Sequence, residues 1–301
     1  MICINSRGRR ALRLHLTTGS SLLGYKSILV HLDTSVRAHP RLEIALQLAH
    51  RFHATLTGLF STYVPPRHAF FVMAGTADYY AEHERLRHER ASALERLFRA
   101  ELARANVDGH WIAANGYAND VVPPYARLAD LIVLGQTAPT DPEAFVAEQF
   151  VEHVVLSAGR PVLLVPSGGT FAAPGRHVLI AWDGSREATR AIHDALPFLA
   201  HASKVTLLTV HSSGDRPPRD TVPGDDIALT VARHGVKIDV RELSVADDTP
   251  VGDALLSQAA DLGCDMIVMG AYAHSRLHEV VLGGATRTML ESMTVPVLLS
   301  H

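Results

Sequence analysis

The chain has 301 residues, 47% of them apolar and 20% charged, with 28 basic against 31 acidic side chains. That length predicts two domains with ample core, and that balance excludes an intrinsically disordered chain. A formal charge of −3 advertises no polybasic surface for nucleic acid. The longest apolar runs (Leu131 to Leu134, Pro161 to Val165, Met266 to Met269) fall far short of the roughly 18 residues that span a bilayer.

Two cysteines, Cys3 and Cys264, exclude a disulfide framework and a Cys-rich zinc site, and suit a reducing cytoplasm. Lys26, Lys204 and Lys237 are the only lysines, and none lies in a Walker-type context, which rules out that class of NTPase. Residues 1–25 carry Arg7, Arg9, Arg10 and Arg13, no acid and no sustained apolar core. A disordered leader, a transit peptide and an early start codon all fit that composition. The segment is set aside from the fold.

From residue 26 onward the chain repeats itself. Ser27 to Asp33 resembles His177 to Asp183 at an offset of 150, each an apolar run ending in Asp before a Ser-containing turn. Asp130 to Gly135 resembles Asp265 to Gly270, and Pro161 to Leu164 resembles Pro296 to Leu299, both at an offset of 135. The drop places 15 extra residues in the first half, between its second and third strands.

The first half reads as strands alternating with helices near Pro40 to Phe52 and Tyr80 to Arg104, the latter with Leu86, Leu94, Leu97 and Phe98 inward. Ser167 to Gly175 reads as a linker between a first domain, 26–166, and a second, 176–301. In the second half, strands are predicted at Val178 to Asp183, Val205 to Val210, Val236 to Val240, Asp265 to Gly270 and from Val295. Helices lie between them, one with Asp225-Asp226 as N-cap chemistry and one over Gly252 to Leu262. Continuous apolar strands spaced by helices predict α/β architecture: two doubly wound, five-stranded parallel-sheet domains in tandem, Rossmann-like.

In such sheets, ligands bind beyond the carboxyl ends of the strands where the strand order reverses. Asp183-Gly184-Ser185 and the loop from Gly270 to Thr286 converge there in the second half. Gly283-Gly284 at a helix start leaves N–H donors open, and with the helix dipole this makes an anion site suited to phosphate. Relief of crowding between loop and helix explains the two glycines equally well.

Twin halves of this plan resemble tandem universal stress protein domains, the UspA-like family whose fold is akin to the adenine nucleotide alpha hydrolases. Members that bind ATP carry Gly-x-x-Gly, nine residues, then Gly followed by Ser or Thr. Here Gly270 matches the first glycine, Ala273 replaces the second, Gly283 matches the third after nine residues, and Gly284 stands at the hydroxyl position with Thr286 two places on. The resemblance covers 26–301. It implies that Asp183 and Ser185 face the adenosine portion and that Met269 and Gly270 line the base and ribose. It further implies that Gly283, Gly284 and Thr286 cradle phosphates, with Ala273 and Ala285 beside them in the site and Mg²⁺ as a companion of ATP. Arg276, with His274 and His278, lies in the same loop and reaches either phosphate or solvent. If position 273 needs positive φ, alanine there costs roughly 1–2 kcal/mol. Losing the hydroxyl at Gly284 removes about 0.5–1.5 kcal/mol more.

The first half departs further. Glu148 falls opposite Gly283, Gln149 opposite Gly284 and Val151 opposite Thr286, and its loop carries Pro139, Pro142, Asp141 and Glu143. Prolines remove donors and carboxylates repel phosphate, so this half is expected to bind no nucleotide. Among other candidates, 18 histidines show no metal-ligand spacing, and His211-Ser212-Ser213-Gly214-Asp215 lacks a nucleophile elbow. Phe70 to Met73 reads as packing against the long helix.

By resemblance, related single domains dimerise through their fifth strands, which predicts pairing of Pro161 to Val165 with Pro296 to Ser300 in an intramolecular pseudo-dimer; a homodimer is the alternative. The expected function is an ATP-binding regulatory or protective module in the cytoplasm, not an enzyme and without a catalytic or metal site. Its rivals are a slow ATP hydrolase or phosphotransferase using Asp183, His274 and Arg276, and a nucleotide-free interaction scaffold.

Overall fold

The computed structural model describes residues 24–35, 37–62, 77–137, 149–171, 174–212, 222–272 and 284–301. In the first half these form β1 (Ser27–Leu32), α1 (Ala38–Phe52), β2 (Thr55–Thr62), α2 (Ala77–Ala105), β3 (Gly109–Asn115), α3 (Ala118–Ala126), β4 (Leu131–Gly135), α4 (Phe150–Ala158) and β5 (Val162–Val165). The second half forms β6 (His177–Ala181), α5 (Arg186–Leu199), β7 (Lys204–Ser212), α6 (Gly224–Ala232), β8 (Ile238–Val245), α7 (Val251–Asp261), β9 (Met266–Gly270), α8 (Gly284–Ser292) and β10 (Val297–Ser300).

The strands make one ten-stranded sheet in the order β3-β2-β1-β4-β5-β10-β9-β6-β7-β8. Within each half every pairing is parallel, and the halves share one order, third-second-first-fourth-fifth. They meet where β5 and β10 run antiparallel, with Leu163 opposite Leu298. The strands at this seam are buried along their whole length. Strand pairing has therefore fused the two expected sheets into one.

Helices cover both faces, as continuous apolar strands require. Ile28, Val30 and Leu32 of β1 join a core with Leu42 and Phe52 of α1, Phe98 of α2, Phe198 of α5 and Val231 of α6. Leu29 points the other way, into a core with Val122 of α3, Val154 of α4, Leu255 of α7 and Met289 of α8. Each core draws on both halves, so hydrophobic burial holds the repeats together as well as each repeat internally.

Several boundaries move from their expected places. Tyr25 belongs to the folded body, not the leader: its buried ring packs on Phe52 and Phe198, and its hydroxyl donates to the Asp194 carbonyl at 2.6 Å. Third strand β8 continues to Val245 because its exposed positions, Asp239, Arg241, Glu242 and Ser244, suit an edge strand open to water. The N-cap of α6 is Pro223, and Asp225 and Asp226 sit inside its first turn, where they complement the helix dipole. Leu86 is 39% exposed and not inward, whereas Phe98 is fully buried.

The first-half insertion is larger than 15 residues. Leu56 opposes Gly109 and Val205 opposes Ile238, so the offset between matching positions falls from 149 to 129 before returning to 135 at the fourth strands. The 29-residue α2 stands where the second half has the nine-residue α6. The Phe70 to Met73 cluster lies outside the described residues.

Candidate functional site

Adjacent strands β1 and β4 in the first half, and β6 and β9 in the second, send their chains to opposite sides of the sheet. The crevices between these strand ends are the expected ligand positions. Because β5 and β10 are antiparallel, the two crevices open at opposite ends of the shared sheet.

In the second half, Gly184 at φ 79° allows the tight turn after Asp183. Asp183 is exposed, and its Oδ1 accepts the Ser185 N–H at 2.9 Å. Among the described residues it has no cationic partner. The Ser185 hydroxyl accepts from the Ala188 N–H at 3.0 Å, which makes it the N-cap of α5. That side chain is committed to capping. Gly270 sits under the same first turn, where a Cβ would lie 2.4 Å from the Ala188 nitrogen, so helix packing alone requires glycine there. Met269 points into the core with Met289 and Met293.

Beyond Gly270, Tyr272 adopts φ 64°, and its N–H reaches the Thr286 hydroxyl at 3.4 Å. Thr286 is buried, while Gly284 opens α8 in an exposed position, with no described residue within 4 Å of where a Cβ would stand. The first turn of α8 contains no acid. A helix start of this kind offers N–H donors without intrahelical acceptors, and its dipole favours an anion. Ala273, Arg276, Gly283, His274 and His278 lie outside the described residues. His211 and Ser212 end β7, while the rest of that run is also outside them.

The first-half crevice has the same frame and different contents. Asp33 Oδ1 accepts from the Ser35 N–H at 3.1 Å, as Asp183 does from Ser185. Its Oδ2 is taken by Arg41 Nη1 at 2.9 Å, and the same nitrogen donates to the His31 carbonyl at 2.7 Å. Arg41 is only 3% exposed. Burial works to raise the Asp33 pKa, but the Arg41 charge, aided by His31 and the hydrogen bonds, holds it at about 2.

His31 is buried beside Phe150, with ring centroids 4.9 Å apart, and its Nε2 lies 3.1 Å from the Ser61 hydroxyl. Burial pushes its pKa down to about 4, with Arg41 adding to the effect and Asp33 opposing it. At the repeat offsets, Ala181 and Ala285 stand in the places of His31 and Phe150. Both alanines are partly exposed, whereas the two rings are buried. Among the described residues, two rings and a guanidinium thus occupy one crevice, while small Ala181 and Ala285 stand at the places of the two rings in the other. The expected barrier at Glu148 lies outside the described residues, whereas Gln149 stands just before α4 at φ 59°.

Arg41, His31 and Phe150 were not among the residues expected to matter. The Phe150-for-Ala285 exchange is readable from the offset, but one buried arginine among 28 basic residues carries no local mark.

Among the described residues, no group of three or more His, Cys, Asp or Glu is placed to hold a metal. No helix there is long and apolar enough to cross a membrane.

The fold and its paired crevices define a tandem α/β protein of the doubly wound class. The family model described as the universal stress protein family matches residues 24–166 and again 175–301, and the chain belongs to that family. Universal stress protein Slr1230 of Synechocystis sp. is 25% identical over 223 residues, covering 71% of this chain and 73% of that protein. The fold is similar to a universal stress protein from Archaeoglobus fulgidus DSM 4304, with a TM-score of 0.68 at 18% identity, covering 91% of this chain and 95% of the other. It is also similar to a putative universal stress protein from Pseudomonas aeruginosa UCBPP-PA14, with a TM-score of 0.59 at 17% identity, covering 92% and 93%. At these identities the structural likeness is one of fold.

Proposed function

We propose that the chain binds one adenine nucleotide, ATP, in its second half and works as a regulatory or protective module of a cytoplasmic stress response rather than as an enzyme. The observation that carries this reading is the contrast between the crevices. Asp183 is exposed and without a cation among the described residues, Ala181 and Ala285 are small, and α8 presents an acid-free first turn. In the first half, Arg41, His31 and Phe150 occupy the corresponding places.

In this reading Asp183 meets the adenosine, the backbone at Met269 and Gly270 borders it, and Gly284, Ala285 and Thr286 receive phosphates with Ala273, Arg276 and Gly283. Ser185 contributes by setting the first turn of α5. Mg²⁺ arrives with the nucleotide. The two halves act as an intramolecular pseudo-dimer across the β5–β10 seam, so no second chain is needed to complete the sheet.

Calorimetric titration with ATP and Mg²⁺ tests the reading. One site per chain is expected, and Gly283→Glu, which copies Glu148 into the second half, is expected to abolish it. Two equivalent sites, or no heat and no thermal shift, would remove the proposal.

A further inference from the structure

We propose that the first-half crevice is a guanidinium site occupied from within, with Arg41 as its permanent ligand. The inference rests on the equivalence of the two crevices and not on nucleotide binding by the second, so its test involves no nucleotide.

Four observations converge. Arg41 Nη1 donates to a carboxylate and a carbonyl at once, Asp33 Oδ2 at 2.9 Å and the His31 oxygen at 2.7 Å, so one nitrogen of the group satisfies both a charged and a neutral acceptor. The remaining face of the group lies on Gly135. A Cβ on that residue would fall 2.6 Å from Cζ and 2.8 Å from Nε, and closer still to Nη2. Glycine at 135 is therefore matched to arginine at 41, whereas glycine at 270 is matched to the backbone of α5.

Third, Nε of Arg41 is buried without an acceptor among the described residues, although an arginine on a surface helix keeps its head group in water. Its planar body fills the space over Gly135 at the expense of that one unpaired donor. Fourth, α1 starts five positions after Asp33, while α5 starts three after Asp183. The longer lead-in sets the first turn of α1 apart from β4 and leaves the gap that the guanidinium enters. The carboxylate that stands open in one half is thus consumed in the other by a charge on the same chain, and no external cation or nucleotide is needed to complete the crevice.

A double-mutant cycle on the full chain reads this directly. Gly135→Ala and Arg41→Ala are each expected to lower the thermal midpoint by about 5–15 °C. In the Arg41→Ala background, the added alanine has room and is expected to cost nothing or to raise the midpoint. Additive losses would overturn the match between the two positions. Ethylguanidinium chloride, far below denaturing concentration, should raise the midpoint of Arg41→Ala but not of the parent, with sodium chloride as the ionic control. An equal response in both would overturn the assignment as a guanidinium site.

If the variants do not fold, the parent chain still decides. Its Arg41 Nε–H, identified by its loss in Arg41→Lys spectra or by triple-resonance assignment, should exchange with solvent at least roughly 100-fold more slowly than that of the exposed Arg99. Equal rates would refute burial of the ligand.

Discussion

The two halves repeat one strand order and one turn, an Asp whose carboxylate accepts the N–H of a Ser two residues on. They part company only a few residues later. After Asp33 the chain inserts Arg41 against Gly135, and after Asp183 it brings the first turn of α5 against Gly270. His31 and Phe150 pack together, their rings tilted by 51°, where Ala181 and Ala285 stand in the other half. A crevice of this fold can be closed to a guest in two ways, by removing the groups that line it or by filling the space with the chain's own side chains. The second way preserves the fold, because a filled crevice keeps its packing and hydrogen bonds without a guest.

Transplanting the filling is the severest test of that comparison. Ala285→Phe, alone or with Ala181→His, should weaken ATP binding by roughly 100-fold or more, because a buried ring would stand at the start of α8. Isothermal titration measures the loss, and thermal unfolding should show that the fold persists, as it does around Phe150. Unchanged affinity would mean that the crevice lies elsewhere.

Acid should separate the halves next. The folded pKa of His31 is about 4, below its ordinary value of 6.5, so the unfolded chain takes up the proton first. Stability from neutral His31 is therefore present above about pH 6.5 and lost as pH falls towards 4, to the extent of about 3 kcal/mol. Asp33, held at about 2, adds a loss only below about pH 4. Urea unfolding between pH 7 and 4.5 should show the first trend, and His31→Ala should flatten it, since the second half has alanine there. A slope unaffected by that substitution would assign the titration to other groups.

Smaller effects come from the caps. Ser185→Ala should cost about 1 kcal/mol by removing the N-cap of α5. It should lower the thermal midpoint by roughly 2–4 °C. Ser35→Ala should cost less, because the N-cap of α1 is Arg37 with no side-chain cap bond. Equal costs would show that Ser185 contributes nothing as a cap. Gly284→Ser sharpens the second half instead: the position is open, and a hydroxyl there should tighten ATP by about 2- to 10-fold. Fluorescence titration with a nucleotide analogue suffices to detect it, and a weaker complex would argue against a phosphate at that helix start.

Much of the architecture was determined by sequence alone. Apolar runs bounded by turns and separated by helical spacing set the strands, and the offsets of 150 and 135 set the repeat. Those signals are local, carried by residues a few positions apart. The same holds for Asp183 and Gly270, whose places at strand ends follow from the runs that precede them. Tertiary structure alone decided the rest. It set the expected pairing of β5 with β10 as antiparallel, extended β8 past its charged residues because that edge faces water, and committed Ser185 to a cap. Above all it buried Arg41 on Gly135 and His31 against Phe150. Arginine has one hydropathy wherever it stands, and only the carboxylate, carbonyl and bare glycine that the fold assembles around position 41 make its burial favourable.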